Sequence, residues 1–157
     1  GGLSVGEPKP LMREMTEAST SYLPEDHPRY LMGVGTPLDL IESVALGVDM
    51  FDCVLPARNA RRGTVYTSHG KVSIKNKIHT HDESPLDENC ACPTCERGYS
   101  RAFLKHMFRV NEPTSYRLLT LHNIYYFLNL MAEIRQSSRL LCLHVEPSRE
   151  EAFIYGL

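Results

Sequence analysis

The chain has 157 residues, 42% of them hydrophobic and 23% charged. That balance excludes disorder, collagen and low-complexity sequence, and no apolar run approaches the ~18 residues of a membrane span. With a formal net charge of −2, any nucleic-acid binding must use a local basic patch rather than a global field.

Taken in chain order, Gly1 to Val5 read as the end of a strand, closing at Gly6, Glu7 and Pro8. A helix is predicted over 11–23, with Met12, Met15, Ala18, Ser19, Tyr22 and Leu23 at helical spacing. A turn-rich break over 24–28 precedes a short apolar run over 29–35, read as a buried strand ending in glycines. Thr36 and Pro37 form an N-cap with proline at the first helical position. The helix they open runs over 38–46, with Leu38, Ile41, Val44 and Ala45 on one face, and Gly47 stops it. The next strand is 48–55, ended by Pro56. Strand and helix alternate with short connections, which predicts an α/β fold with a parallel sheet and chemistry at the C-terminal strand ends.

After Pro56 the pattern changes. Residues 57–63 read as a basic loop, and 64–68 with 71–75 as a β-hairpin turning at His69 and Gly70. Residues 76–88 are polar and irregular. Ser100 is expected to cap a helix carrying Phe103, Leu104, Met107 and Phe108. Thr114 or Ser115 opens a longer helix to about Gln136, with Leu121, Ile124, Tyr125, Leu128 and Met131 as its apolar stripe. A boundary near Gly63 separates the α/β part from the rest.

Four constellations can carry chemistry. The chain has five cysteines, and three of them, Cys90, Cys92 and Cys95, lie within six residues. An odd count fits a disulfide framework poorly, and without a secretory signal such a cluster reads as metal thiolates in the reducing cytosol. A structural zinc site takes four N/S ligands. His122, beside the stripe of the long helix, is the best fourth; His106, His79 and His81 compete with it, and three thiols without metal are the plain alternative. Second, Asp52 lies late in the strand 48–55. A carboxylate in an apolar strand is costly unless paired or functional, so it is either a nucleophile or general base, or a structural partner of a group such as Arg58. Third, Gly1, Gly2 and Gly6, and again Gly33 and Gly35, let backbone approach a ligand, although tight strand-to-helix turns explain them as well. Fourth, Arg58, Arg61 and Arg62, backed by Lys71, Lys75 and Lys77, form either a phosphate-binding patch or a solvated surface.

The run Val48-Asp-Met-Phe-Asp-Cys-Val-Leu-Pro56, followed by Arg58, Asn59 and Arg61, closely resembles the queuine/7-deazaguanine tRNA-guanine transglycosylases. So do the runs 1–7 and 29–35, the Cys90, Cys92 and Cys95 cluster, and His122, which matches the family's zinc histidine. The likeness covers roughly residues 1–136 in order and spacing, and fits the bacterial type better than the eukaryotic one. It implies a (β/α)8 barrel with one structural Zn2+ in an inserted subdomain, in a cytoplasmic, homodimeric enzyme. Its reaction would exchange the wobble guanine of tRNA for a 7-deazaguanine base, preQ1 in bacteria. By the match, Asp52 is the nucleophile that forms a covalent bond to the ribose. Gly2 and Leu3 contact the base through backbone, Glu7 supports that backbone, and Met32 is the apolar wall. A tRNA-contacting loop comprises Gly33, Val34, Gly35, Thr36, Pro37, Leu38 and Asp39, and a second stretch Ala57, Arg58, Asn59, Ala60 and Arg61.

The resemblance divides the chain into 1–63, the last strand-helix units of the barrel, then 64–136, with hairpin, zinc loop and helices, and a divergent tail 137–157. Ala57 replaces a usual Thr, and one extra residue falls between Cys95 and Ser100. A full barrel needs ~250 residues. The family's second catalytic aspartate and aromatic stacking partner would lie upstream of Gly1, so this piece by itself is expected to be inactive. The alternative function is a non-catalytic, zinc-stabilised tRNA-binding module or subunit.

Overall fold

A computed structural model describes residue 3 and residues 5–142, with side chains through 138. The chain divides into two units, Gly1–Val54 with Leu130–Leu157, and Leu55–Asn129.

In the first unit, helix α1 (Lys9–Tyr22) begins with prolines where a missing N–H costs nothing. It buries Met12, Thr16 and Thr20, one residue per turn, and leaves Met15 and Tyr22 exposed. The expected apolar face over Met15 and Tyr22 is therefore corrected. The Thr16 and Thr20 hydroxyls donate to carbonyls a turn back, at 2.7 and 3.1 Å, so both pack inward fully bonded. Strands β1 (Tyr30–Leu31) and β2 (Met50–Phe51) pair in parallel, with Tyr30 opposite Met50 and Leu31 opposite Phe51. Both are shorter than the expected 29–35 and 48–55. Gly33 turns the first run away at φ +74°, and the second passes into a new helix at Leu55.

Helix α2 (Pro37–Ala45) joins the two strands. Thr36 accepts from the Asp39 amide and Asp39 accepts from the Thr36 amide, a reciprocal capping box as the N-cap reading expects. A Cβ at Gly35 would lie 2.7 Å from the Asp39 carboxylate, so glycine is required beside that cap. The buried face is Asp39, Leu40 and Ser43, whereas Leu38 and Ile41 are exposed. Of the apolar face expected from spacing, Leu38, Ile41 and Ala45 are exposed and Val44 is half-buried. Met12, Leu31, Val34 and Val48 make the unit's core, with Leu3 and Phe51 against it.

The second unit opens with helix α3 (Leu55–Arg61), where a basic loop was expected. Pro56 occupies its first turn, where proline is tolerated, and so starts a helix rather than merely ending a strand. Pro56 and Ala60 face inward while Arg58 and Arg61 point to solvent. Gly63 ends the helix at φ +78°, and a Cβ there would press on Phe108 at 3.0 Å. Strands β3 (Thr64–Thr67) and β4 (Gly70–Ser73) form the expected antiparallel hairpin. A 3-10 turn (Lys77–His81) lies in the segment read as irregular. Helix α4 (Pro93–Glu96) sits within the cysteine cluster, and α5 (Arg101–Arg109) is capped by Ser100. Helix α6 (Pro113–Cys142) continues past the expected end at Gln136.

Helix α6 buries Ser115, Leu118, Leu119, His122, Asn123 and Phe127. The expected stripe is corrected: Ile124 and Leu128 are exposed, and His122 stands at the centre of the buried face. Polar residues on the true inner face displaced the purely apolar periodicity. The core joins Ala60, Val65, Ile74, Leu86, Leu104, Leu118 and Leu119.

Asp82 ties the 3-10 turn to α5. It accepts from the Ser84 hydroxyl at 2.5 Å and Ser84 amide at 3.1 Å, and pairs with buried His79 at 2.8 Å and Arg101 at 3.5 Å. The Ser84 hydroxyl, then His79, pull its carboxyl down to about 2. Its stabilisation is therefore present above the ordinary carboxylate pKa of about 3.9 and lost as pH falls through about 2. Asp82→Asn should destabilise the full chain by about 1–3 kcal/mol near neutral pH. Urea midpoints of the two proteins should converge as pH falls from 5 to about 2.

Candidate metal centre and carboxylate site

Cys92 ends the loop before α4 and caps it, its sulfur accepting from the Cys95 amide at 3.4 Å. The short helix then turns Cys95 back toward Cys92. His122 faces all three sulfurs with Nδ1, at 3.7 Å from Cys90, 3.4 Å from Cys92 and 3.5 Å from Cys95. The four ligand atoms lie within 4.8 Å of one another. A tetrahedral ion with bonds of ~2.3 Å to sulfur and ~2.0 Å to nitrogen would set those S–N separations at roughly 3.5 Å. The donor set and spacing therefore fit one metal ion. His79 instead pairs with Asp82, and His81 and His106 are exposed, so none of these competes. The Cys95 hydrogen bond, followed by that of His122, lowers the Cys92 thiol, while burial raises Cys90.

The surroundings fix the imidazole. His122 Nε2 donates to the Tyr66 carbonyl at 2.7 Å, which leaves Nδ1 unprotonated toward the sulfurs. Asp87 accepts from the Ser68 amide and hydroxyl and the Asn89 amide, tying the cysteine loop to the hairpin. Burial works against its ionised form, but these bonds hold its carboxyl below the ordinary range.

The carboxylate site lies in the first unit. Asp52 follows β2 and is exposed. Its Oδ1 accepts from the Tyr30 hydroxyl at 2.5 Å and the Gly33 amide at 2.8 Å. Tyr30, then Gly33, lower its pKa, so it is ionised at neutral pH. Both bonds fall on Oδ1. The backbone of Gly33 reaches the carboxylate because glycine accepts φ +74°. Asp49 has a different task, accepting from the Arg29 amide at 2.8 Å.

The other predicted site residues fall into distinct settings. Gly2 lies outside the described residues. Leu3 is half-buried against the first unit's core. Glu7 accepts from the Val5 amide at 2.9 Å. Met32 is 58% exposed. Val34 and Gly35 are buried; Thr36 and Pro37 start α2, and Leu38 is exposed. Asp39 is occupied by the cap and by Lys9 at 2.6 Å. Ala57, Arg58, Asn59, Ala60 and Arg61 are all on α3, with Ala60 in the core. Asn59 donates to the Tyr66 hydroxyl at 2.7 Å. Sequence reasoning missed Tyr30, Tyr66, Asp87 and Asn123, whose contacts span many residues; only an alternation reading that paired Tyr30 with the strand of Asp52 would have found one of them.

The family model described as queuine tRNA-ribosyltransferase matches residues 1–139. The chain belongs to this family. Relatives called queuine tRNA-ribosyltransferase are 58% identical over 139 residues in Thermoanaerobacter pseudethanolicus and 55% over 137 in Lawsonia intracellularis. Another, from Staphylococcus haemolyticus, is 55% identical over 139. These alignments cover 87–88% of this chain but 36–37% of the relatives' own length. No helix among the described residues is long and apolar enough to cross a membrane.

Two outcomes follow from this geometry. Cys92→Ser should lose the metal, read by native mass spectrometry as one ion per chain in the wild type and none in the variant. Tyr30→Phe should raise the Asp52 pKa toward its ordinary value, since its largest lowering contact is removed while Gly33 stays. Carboxyl-carbon NMR titration of Asp52 measures that shift.

Proposed function

We propose that the full-length protein is a tRNA-guanine transglycosylase that replaces the wobble guanine of tRNA with a 7-deazaguanine base, preQ1. The observation that carries this reading is an exposed, ionised Asp52 whose Oδ1 is anchored by Tyr30 and Gly33. Oδ2 attacks the anomeric carbon of the ribose; the C–N9 bond breaks and its electron pair leaves with guanine, which takes up a proton. A carboxylate suits this step because it stabilises cationic character at that carbon and then bonds to it. The incoming base, losing its N9 proton, displaces Asp52 and restores the carboxylate. Glycosidic bond energy is kept, so no ATP is consumed. The target base must leave its stack to reach the carboxylate.

Met32 would wall the base, Leu3 and Gly2 would contact it through backbone, and Glu7 would hold that backbone. Within the stretch from Gly33 to Asp39, the exposed Gly33 and Leu38 would meet the RNA, as would the exposed Arg58 and Arg61 of α3, the guanidinium groups by charge and bidentate bonding to phosphate. Zn2+ would be held by Cys90, Cys92, Cys95 and His122, where it supplies structure: four protein ligands leave no open position. Residues 1–63 would complete a (β/α)8 barrel with the rest of the full-length protein. Residues 64–136 would form its zinc subdomain, and the enzyme would work as a cytoplasmic homodimer.

Asp52→Ala in the full-length protein should reduce incorporation of labelled guanine into tRNA by at least about 1,000-fold. It should also abolish the denaturant-stable protein–tRNA adduct that the wild type forms. Wild-type protein that binds tRNA without adduct or exchange would favour a binding module instead.

A further inference from the structure

Tyr66 is buried, 2% exposed, and is contacted by polar groups from α3 and α6. Its carbonyl accepts from His122 Nε2 at 2.7 Å, and its amide donates to Asn123 Oδ1 at 3.0 Å. Its phenol oxygen accepts from Asn59 Nδ2 at 2.7 Å. Its ring stacks on Tyr126 at 5.7 Å and meets the edge of Phe127 at 5.0 Å. Asn123 uses its amide nitrogen on the carbonyls of Thr64 and Pro56, each at 3.0 Å. Two short routes thus run from the metal ligand to α3. One passes through the phenol to Asn59, the other through Asn123 to Pro56.

Helix α3 has seven residues, too few to hold itself. Its inner face offers only Pro56 and Ala60 to the core. Its placement therefore depends on those side-chain bonds. Metal on Nδ1 makes Nε2 the protonated nitrogen, so the imidazole must donate to Tyr66. Without metal, the ring keeps its Tyr66 bond but Nδ1 loses its anchor to the cysteine loop.

We propose that Tyr66 and Asn123 are positioning residues that hold α3 in register with the metal centre, so that metal occupancy sets how Arg58 and Arg61 are presented to RNA. The RNA part rests on the proposed function; the coupling of metal to α3 does not. Asn59, expected to touch RNA, acts here through its bond to Tyr66.

Tyr66→Phe in the full-length protein tests this, because it removes the phenol oxygen and keeps both backbone bonds, the ring and all four ligands. Metal content should stay at one ion per chain. Hydrogen exchange of the amides over 57–61 should speed by about fivefold, the effect of one lost buried hydrogen bond. The dissociation constant for a fluorescein-labelled tRNA anticodon stem-loop should rise by a similar factor. Asn123→Asp keeps the acceptor for the Tyr66 amide and loses both donations, so exchange over 57–61 should rise further; if it does not fold, Tyr66→Phe decides alone. In the wild type, chelation should speed exchange over 57–61 as well as at the cysteine loop. Protection over 57–61 that is unchanged in Tyr66→Phe or after chelation overturns the proposal, and so does a loosened α3 with unchanged stem-loop affinity. Guanine exchange that is absent while α3 still answers to chelation would instead sink the transglycosylase reading.

Discussion

The His122 imidazole faces two demands at once, and the second unit is arranged around meeting both. Nδ1 points at three sulfurs and Nε2 donates to the Tyr66 carbonyl. A neutral imidazole has one proton, so the bond to the hairpin and the lone pair toward the sulfurs imply each other. Because His122 is wholly buried, neither demand can pass to water. Asn123, the next residue, accepts from the Tyr66 amide and donates both amide hydrogens, to Thr64 and Pro56. Two adjacent polar residues on α6 thereby locate the hairpin, the cysteine loop and α3.

The first unit solves a different problem. Asp52 is exposed and its pKa is lowered, whereas burial would raise it. The solution is local: a phenol from the paired strand and an amide from a glycine at positive φ, both on one oxygen. Asp39 shows the opposite case. It is buried, and burial opposes its charge, but Lys9 and the Thr36 cap keep it ionised. Its carboxylate is spent on holding α2 in place rather than left open to a ligand.

Much of this was legible in the residues. Capping at Thr36 and Ser100, the hairpin, and the Cys90, Cys92 and Cys95 spacing are local signals, and the structure follows them. The failures share one cause. Apolar spacing misplaced the inner faces of α1, α2 and α6, because Thr16, Thr20, Asp39, Ser115, His122 and Asn123 are buried polar residues satisfied by contacts the spacing does not encode. Pro56 misled for a related reason: proline ends a strand and also starts a helix, and only the bond from Asn123, 67 residues away, shows where it is held. Tyr30 and Tyr66 gave no local signal, since the partners of their hydroxyls, Asp52 and Asn59, are set by strand pairing and by the packing of α3.

Nitrogen-15 NMR of the metal-loaded protein, labelled at histidine, tests the central arrangement most directly. The account predicts that His122 carries its proton on Nε2 with metal on Nδ1. A His122 ring protonated on Nδ1, or bound to metal through Nε2, would contradict it.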